Sequence, residues 1–173
     1  MSTLNTSWSL GGVPVENRVL LAPLAGIGNW FVRLQAKRYG AGLTVSEMIS
    51  SHGLAYGDKR TRNEFLRLHP EEGPTRVQLF GADPAIMREA AAMVAETGAK
   101  MIDLNMGCPV KKVCRTGAGS ALLQDADLAV SIARAGDIDT IDVRDTGAGI
   151  EPQFIPFMFE PFRQADAAST RSH

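Results

Sequence analysis

The sequence predicts an α/β fold built of parallel strand–helix units, and three observations carry that expectation. Apolar, strand-like runs alternate with helix-like runs four times between residues 18 and 136, an order that needs crossover connections and favours parallel pairing. The first run, Val19-Leu20-Leu21, is apolar at successive positions, so both faces of the sheet are expected to be covered. No Gly-x-Gly-x-x-Gly follows that run, which counts against a dinucleotide-binding sheet. A doubly wound sheet and a (β/α)8 barrel both remain open on these grounds.

Each element has its own signal. Residues 8–18 read as a hairpin, with Gly11-Gly12 supplying the positive φ angles of a tight turn. The apolar run 18–26 is a strand that ends at Pro23 and Gly26. Asn29 is placed to cap a helix that stops at Gly40. A second strand covers 43–48, and a polar, helix-prone stretch follows it. Residues 75–81 form the third strand, after which Asp83-Pro84 opens a helix closed by Gly98. Within that helix Ile86, Ala90, Met93, Val94 and Thr97 form the expected core-facing stripe. A fourth strand starts at Lys100, and a last helix runs from Asp125 through Ile132 to Gly136.

Composition limits the functional classes. The chain has 173 residues, 45% hydrophobic, with 18 basic and 19 acidic side chains, so nucleic acid would have to be met by a local patch rather than by net charge. Cys108 and Cys114 are the only cysteines, too few for a disulfide scaffold and wrongly spaced for a CxxC metal clamp. No metal site is expected. With no leader-like N-terminus and no apolar run near the roughly 18 residues of a membrane span, the expected compartment is the cytoplasm.

The chemistry gathers where the strands end. Pro23-Leu24-Ala25-Gly26, Ser46-Glu47-Met48, Gln78 through Gly81, and Asn105 through Pro109 each follow or close a strand. In a barrel those ends converge on one rim. Gly26 and Gly81 allow a flat ligand to approach the backbone, and the amides of Gln78 and Asn105 suit the edge of a heterocycle. The rim reads as a site for a planar ring with the thiol of Cys108 beside it. Glu47 stands equally well as a paired carboxylate. Cys114 reads as incidental, and His52, His69 and His173 as surface residues.

This set resembles the tRNA-dihydrouridine synthase family. The residues that carry the resemblance are "LAPLAG", "RLQAKRYGAGLTVSEM", "VQLFG", "DLNMGCPVKKV" and "RTGAGSALL", in that order, from about Val13 to Ala135. The resemblance implies an oxidoreductase and about four βα units of a TIM barrel, the flavin-binding first half, over residues 1–136. It implies FMN, reduced by NADPH, as the source of a hydride to C6 of a uridine in tRNA. Cys108 matches the cysteine that protonates C5. Pro23, Leu24 and Ala25 match the loop that lies against the flavin, and Gln78 the side chain that binds the isoalloxazine edge. Asn105 matches the residue beside the substrate base, while Lys112 and Arg115 lie where the family's RNA-facing basic loop begins. An ordinary thiol, with a pKa of about 8.5, keeps its proton at neutral pH as a general acid must. A uridine has to leave its stack to be reached, and the lysines and Arg115 would hold phosphates by charge.

Leu24 stands where the family more often has methionine, and Asn29 where aspartate is common. The family's later lysine, histidine and Gly-rich phosphate cradle have no counterpart in this sequence. An open half-barrel is expected to self-associate through its edges. Residues 137–173 resemble something else. "DTGAGI" followed by "FEPFRQAD" is similar to the ATP-binding domain of histidine kinases, an α+β fragment in which Asp145, Gly147, Gly149, Phe159 and Phe162 match motif positions. The chain thus reads as two partial domains joined. Beside the synthase reading stand two others, a remnant that binds no flavin and a nucleotide-binding sensor fragment.

Overall fold

A computed structural model describes residues 3–57 and 59–135. Residues 137–173, with Asp145, Gly147, Gly149, Phe159 and Phe162, on which the expectation of a kinase fragment rests, lie outside the described residues. A hairpin opens the chain: β1 (Trp8–Leu10) and β2 (Val13–Val15) pair antiparallel around Gly11 and Gly12, whose φ angles are 53° and 79°. There follow β3 (Leu20–Leu21), α1 (Trp30–Arg38), β4 (Leu43–Val45), β5 (Ile49–Ser50), α2 (Ser51–Tyr56) and α3 (Lys59–Phe65). The remaining elements are β6 (Thr75–Phe80), α4 (Pro84–Glu96), β7 (Met101–Leu104), α5 (Lys111–Cys114) and α6 (Ala126–Ala135).

Strand order settles the architecture. β3 pairs with β4, β4 and β5 both pair with β6, and β6 pairs with β7, all in parallel. Because β4 and β5 lie along the same neighbour, they are two parts of one strand, and four strands run in simple chain order. A doubly wound sheet reverses its order at a switch point, whereas a barrel adds each strand beside the last. The described residues form the partial barrel.

The interruption between β4 and β5 has a cause. Val45 pairs with Arg76 and Ile49 with Leu79, so four steps along one strand match three along the other. One extra residue makes a bulge, which leaves a ladder N–H without its usual acceptor. The hydroxyl of buried Ser46 accepts that bond, from Gln78 N–H at 2.9 Å.

Helices cover one face of the sheet. Val77, Leu79, Ile102 and Leu104 pack with Met87, Ala90, Ala91 and Val94 of α4 and with Ile132 and Ala135 of α6. The buried stripe of α4 is therefore rotated from the expected one: Ile86, Met93 and Thr97 flank it half-buried, and Met87 and Ala91 take its centre. Small Ala90 and Ala91 let the helix sit close to the sheet. Caps match the expectation, with Asn29, Asp83 and Asp125 side chains accepting from the first turns of α1, α4 and α6.

The first strand departs from expectation. Only Leu20 and Leu21 pair, and Val19 and Leu20 remain 45% and 42% exposed. Among the described residues β3 has a paired strand on one side only.

A buried clamp was not anticipated. Arg33 of α1 meets Glu72 with Nε donating to Oε2 at 2.7 Å, both side chains being at most 2% exposed. Arg33 also donates to the carbonyls of Gly28 and Arg67. Glu72 accepts further bonds from His69 N–H and Thr75 Oγ1. The clamp ties the loop after β3 to the turn before β6. His69 belongs to it rather than to an idle surface: its Nδ1 accepts from Glu71 N–H, and its ring stacks on Trp30.

Candidate functional site

The site is assembled at the carboxyl ends of the strands. Parallel register places Gln78 opposite Asp103, so Gln78, Asp103 and Asn105 share the face turned away from the helices. Gln78, nearly buried, donates from Nε2 to Asp103 Oδ2 at 2.5 Å. Its Oε1 accepts from Asn105 Nδ2 at 3.0 Å. Asn105 Oδ1 in turn accepts the N–H of Cys108 at 2.9 Å and that of Gly107 at 3.3 Å. The structure thus brings together three residues singled out in the sequence.

Cys108 is gripped by its backbone from both sides. Its N–H belongs to Asn105, while its carbonyl accepts from Ser120 N–H at 3.0 Å and from Cys114 Sγ at 3.4 Å. Cys114 Sγ also lies 3.4 Å from Ser120 Oγ. It braces the turn, a role the sequence reading did not give it. Gly119, at φ 63°, passes so close that an added Cβ would come within 2.5 Å of the Cys108 carbonyl oxygen. With its main chain held in this way, Cys108 is half-buried.

The loop carrying Pro23, Leu24 and Ala25 is held by the bulged segment. Glu47 Oε2 accepts from Gly26 N–H at 2.9 Å, and the Leu24 carbonyl accepts from Ile27 and Gly28. A Cβ on Gly28 would meet the Leu24 oxygen at 2.8 Å, so the loop closes on itself there. Gly26, at φ 81°, has open space on its side-chain side. Next to Glu47, Met48 Sδ accepts a weak bond from Asn105 Nδ2 at 3.8 Å, linking this segment to the amide pair. The bulge at Ser46 is what lets consecutive Glu47 and Met48 serve the loop and the amide pair; nothing in residue order signalled it.

Lys111, Lys112 and Arg115 are exposed on α5 and at its end, joined to the amide chain through the turn alone. Among the described residues no group of three or more His, Cys, Asp or Glu could hold a metal ion, and no helix is long and apolar enough to cross a membrane.

The amide pair, the braced cysteine and the glycine-bearing loop thus lie at the carboxyl ends of the strands, the end at which β/α-barrel enzymes carry their active sites. The sequence model for the dihydrouridine synthase (Dus) family matches residues 20–137, and the chain belongs to that family. It is 41% identical over 140 residues to tRNA-dihydrouridine synthase B of Pseudomonas aeruginosa, a match covering 78% of this chain and 42% of that protein. With the enzyme of the same name from Pasteurella multocida it shares 46% identity over 125 residues, covering 71% and 37%. The chain therefore spans about four-tenths of the length of these relatives. A solved structure of an NCR variant from Zymomonas mobilis superposes with a TM-score of 0.55 at 17% identity, covering 79% of this chain and 55% of that one, a likeness of fold.

Proposed function

We propose that this chain carries the flavin-ring and proton-donor half of a tRNA-dihydrouridine synthase, which reduces uridine to dihydrouridine in tRNA with FMN and NADPH. The observation that supports it most is the hydrogen-bonded series Gln78–Asn105–Cys108 at the ends of adjacent strands. When bound, reduced FMN supplies the hydride for C6 of the uridine. The Cys108 thiol gives its proton to C5, and the thiolate regains one from solvent.

The residues present fit the ring. Gln78 keeps one Nε2 hydrogen beyond its bond to Asp103, available to a heteroatom on the isoalloxazine edge. Pro23, Leu24 and Ala25 form a short, partly apolar ledge, and the open space at Gly26 allows close approach. Asn105 stands beside the base while holding the Cys108 turn. Lys112 and Arg115, with Lys111, supply positive charge for tRNA phosphates, an interaction that weakens steeply with salt.

The test uses the 173-residue chain loaded with FMN, reduced without oxygen by NADPH, and mixed with unmodified tRNA. Wild type is expected to reoxidise its flavin with tRNA and form dihydrouridine. Cys108→Ala is expected to slow product formation by about 100-fold, within the range of a lost general acid. Equal rates would remove Cys108 from the chemistry. A chain that takes up no flavin would favour the reading as a non-catalytic remnant.

A further inference from the structure

Behind the rim, the inner face carries a line of polar side chains that runs deeper than the amide pair. Arg76 lies two residues before Gln78 on β6, and Asp103 two before Asn105 on the chain leaving β7, so all four share a face. Arg76 Nη2 pairs with Asp103 Oδ1, and the other oxygen of Asp103 takes the Gln78 amide. The series then runs Arg76, Asp103, Gln78, Asn105, Cys108 N–H without a gap.

Each link has one permitted direction. A guanidinium only donates and an ionised carboxylate only accepts. Gln78 must therefore turn its NH2 towards Asp103 and its oxygen towards Asn105. Asn105 must then turn its NH2 to Gln78, leaving Oδ1 for the N–H groups of Gly107 and Cys108. An isolated amide pair has no such preference; here Asp103 selects the order at one end and the N–H groups of Gly107 and Cys108 select the same order at the other. The reversed order would set the Asn105 NH2 against two backbone N–H groups, donor against donor, and the turn bearing Cys108 would lose its anchor.

We propose that Asp103, held by Arg76, is a positioning residue that reinforces the direction of this series from its far end and thereby steadies the Cys108 turn. Its functional meaning rests on the reading of Cys108 as proton donor, whereas the series itself is open to test without flavin or RNA. A misplacement near 1 Å at a reacting group costs on the order of 100-fold in rate, so an acceptor-only group three links away has leverage on the chemistry.

The test is amide-resolved NMR on the full chain, comparing wild type with Asp103→Asn. The substitution keeps shape, but with its oxygen held by Arg76 its NH2 meets the Gln78 NH2, so this end of the series opposes the order that the turn N–H groups select. Hydrogen exchange at Gly107 and Cys108 N–H is expected to rise by about tenfold, while Ile102 and Leu104 in the β6–β7 ladder stay within twofold. A rise of equal size along the ladder would mean that Asp103 merely holds two strands together, and would overturn the proposal, as would no change at the turn. Should the variant not fold, wild type decides: the Asn105 NH2 protons are expected to show stronger contacts to the Gln78 and Met48 side chains than to Cys108 N–H. The opposite pattern would overturn the proposal. Selective exchange in a chain that retains no flavin would uphold the positioning role and sink the functional reading. A chain that retains flavin with unchanged exchange would do the reverse.

Discussion

Glu47 shows how one residue links two parts of the site. Its carboxylate accepts from Gly26 N–H, in the loop that bears Pro23, Leu24 and Ala25, while the residue after it touches Asn105. A partly exposed bond of this kind contributes about 1 kcal/mol. Glu47→Ala is accordingly expected to weaken FMN binding by roughly fivefold, with little change in melting temperature, as read by quenching of flavin fluorescence. Unchanged affinity would show that the loop holds its place without the tether. The placement of Gln78, Asn105 and Cys108 at or after strand ends was legible, because each stands in a motif that closes an apolar run. Glu47 and Cys114 were not, because a carboxylate or a thiol reads the same in sequence whether it points at solvent or at a backbone group elsewhere in the chain. Asp103 was hidden for a related reason. It sits inside the fourth strand's apolar run, and only the pairing register reveals that it faces Gln78.

At the scale of elements, the best-read pieces are those with local causes. The Gly11-Gly12 hairpin and the capped starts of α1, α4 and α6 depend on a few neighbouring residues, and they stand where the sequence put them. The stripe of α4 was legible in kind but not in phase, since its rotation depends on how closely Ala90 and Ala91 approach the sheet. Least legible was the bulge between β4 and β5, which exists only relative to β6. The Arg33–Glu72 clamp is likewise a long-range fact, joining α1 to the turn before β6. Removing one partner leaves the other charged, buried and unpaired, at a cost of about 3–5 kcal/mol. Arg33→Met is therefore expected to unfold at a denaturant midpoint well below that of wild type, and Arg33→Met with Glu72→Leu to recover much of the loss. A single variant as stable as wild type would show that the clamp is not part of the fold's stability.

For the molecule as a whole, four strands in chain order give a sheet with two unpaired flanks among the described residues, at β3 and at β7. Exposed Val19 and Leu20 lie on one of them. Such edges invite pairing with another chain, and inward-facing lysine is a common way of blocking it. The isolated chain is expected to sediment above the monomer mass, and Val19→Lys with Leu20→Lys to lower its association. A wild-type chain that is monomeric across a wide concentration range would contradict this. Parallel strand–helix order was legible from the alternation of runs and the barrel only from the family resemblance, whereas exposure of the first strand was not legible, because an apolar triplet cannot say whether anything stands beside it.

The central claim is that this rim holds a flavin ring with Cys108 beside it. The most direct measurement is the visible absorbance of the purified chain after incubation with FMN and removal of free ligand, for wild type and for Gln78→Ala. A retained flavin band in wild type, reduced by about tenfold or more in Gln78→Ala, is the expected result. No retained band in a folded wild-type chain, or equal retention in both proteins, would contradict it.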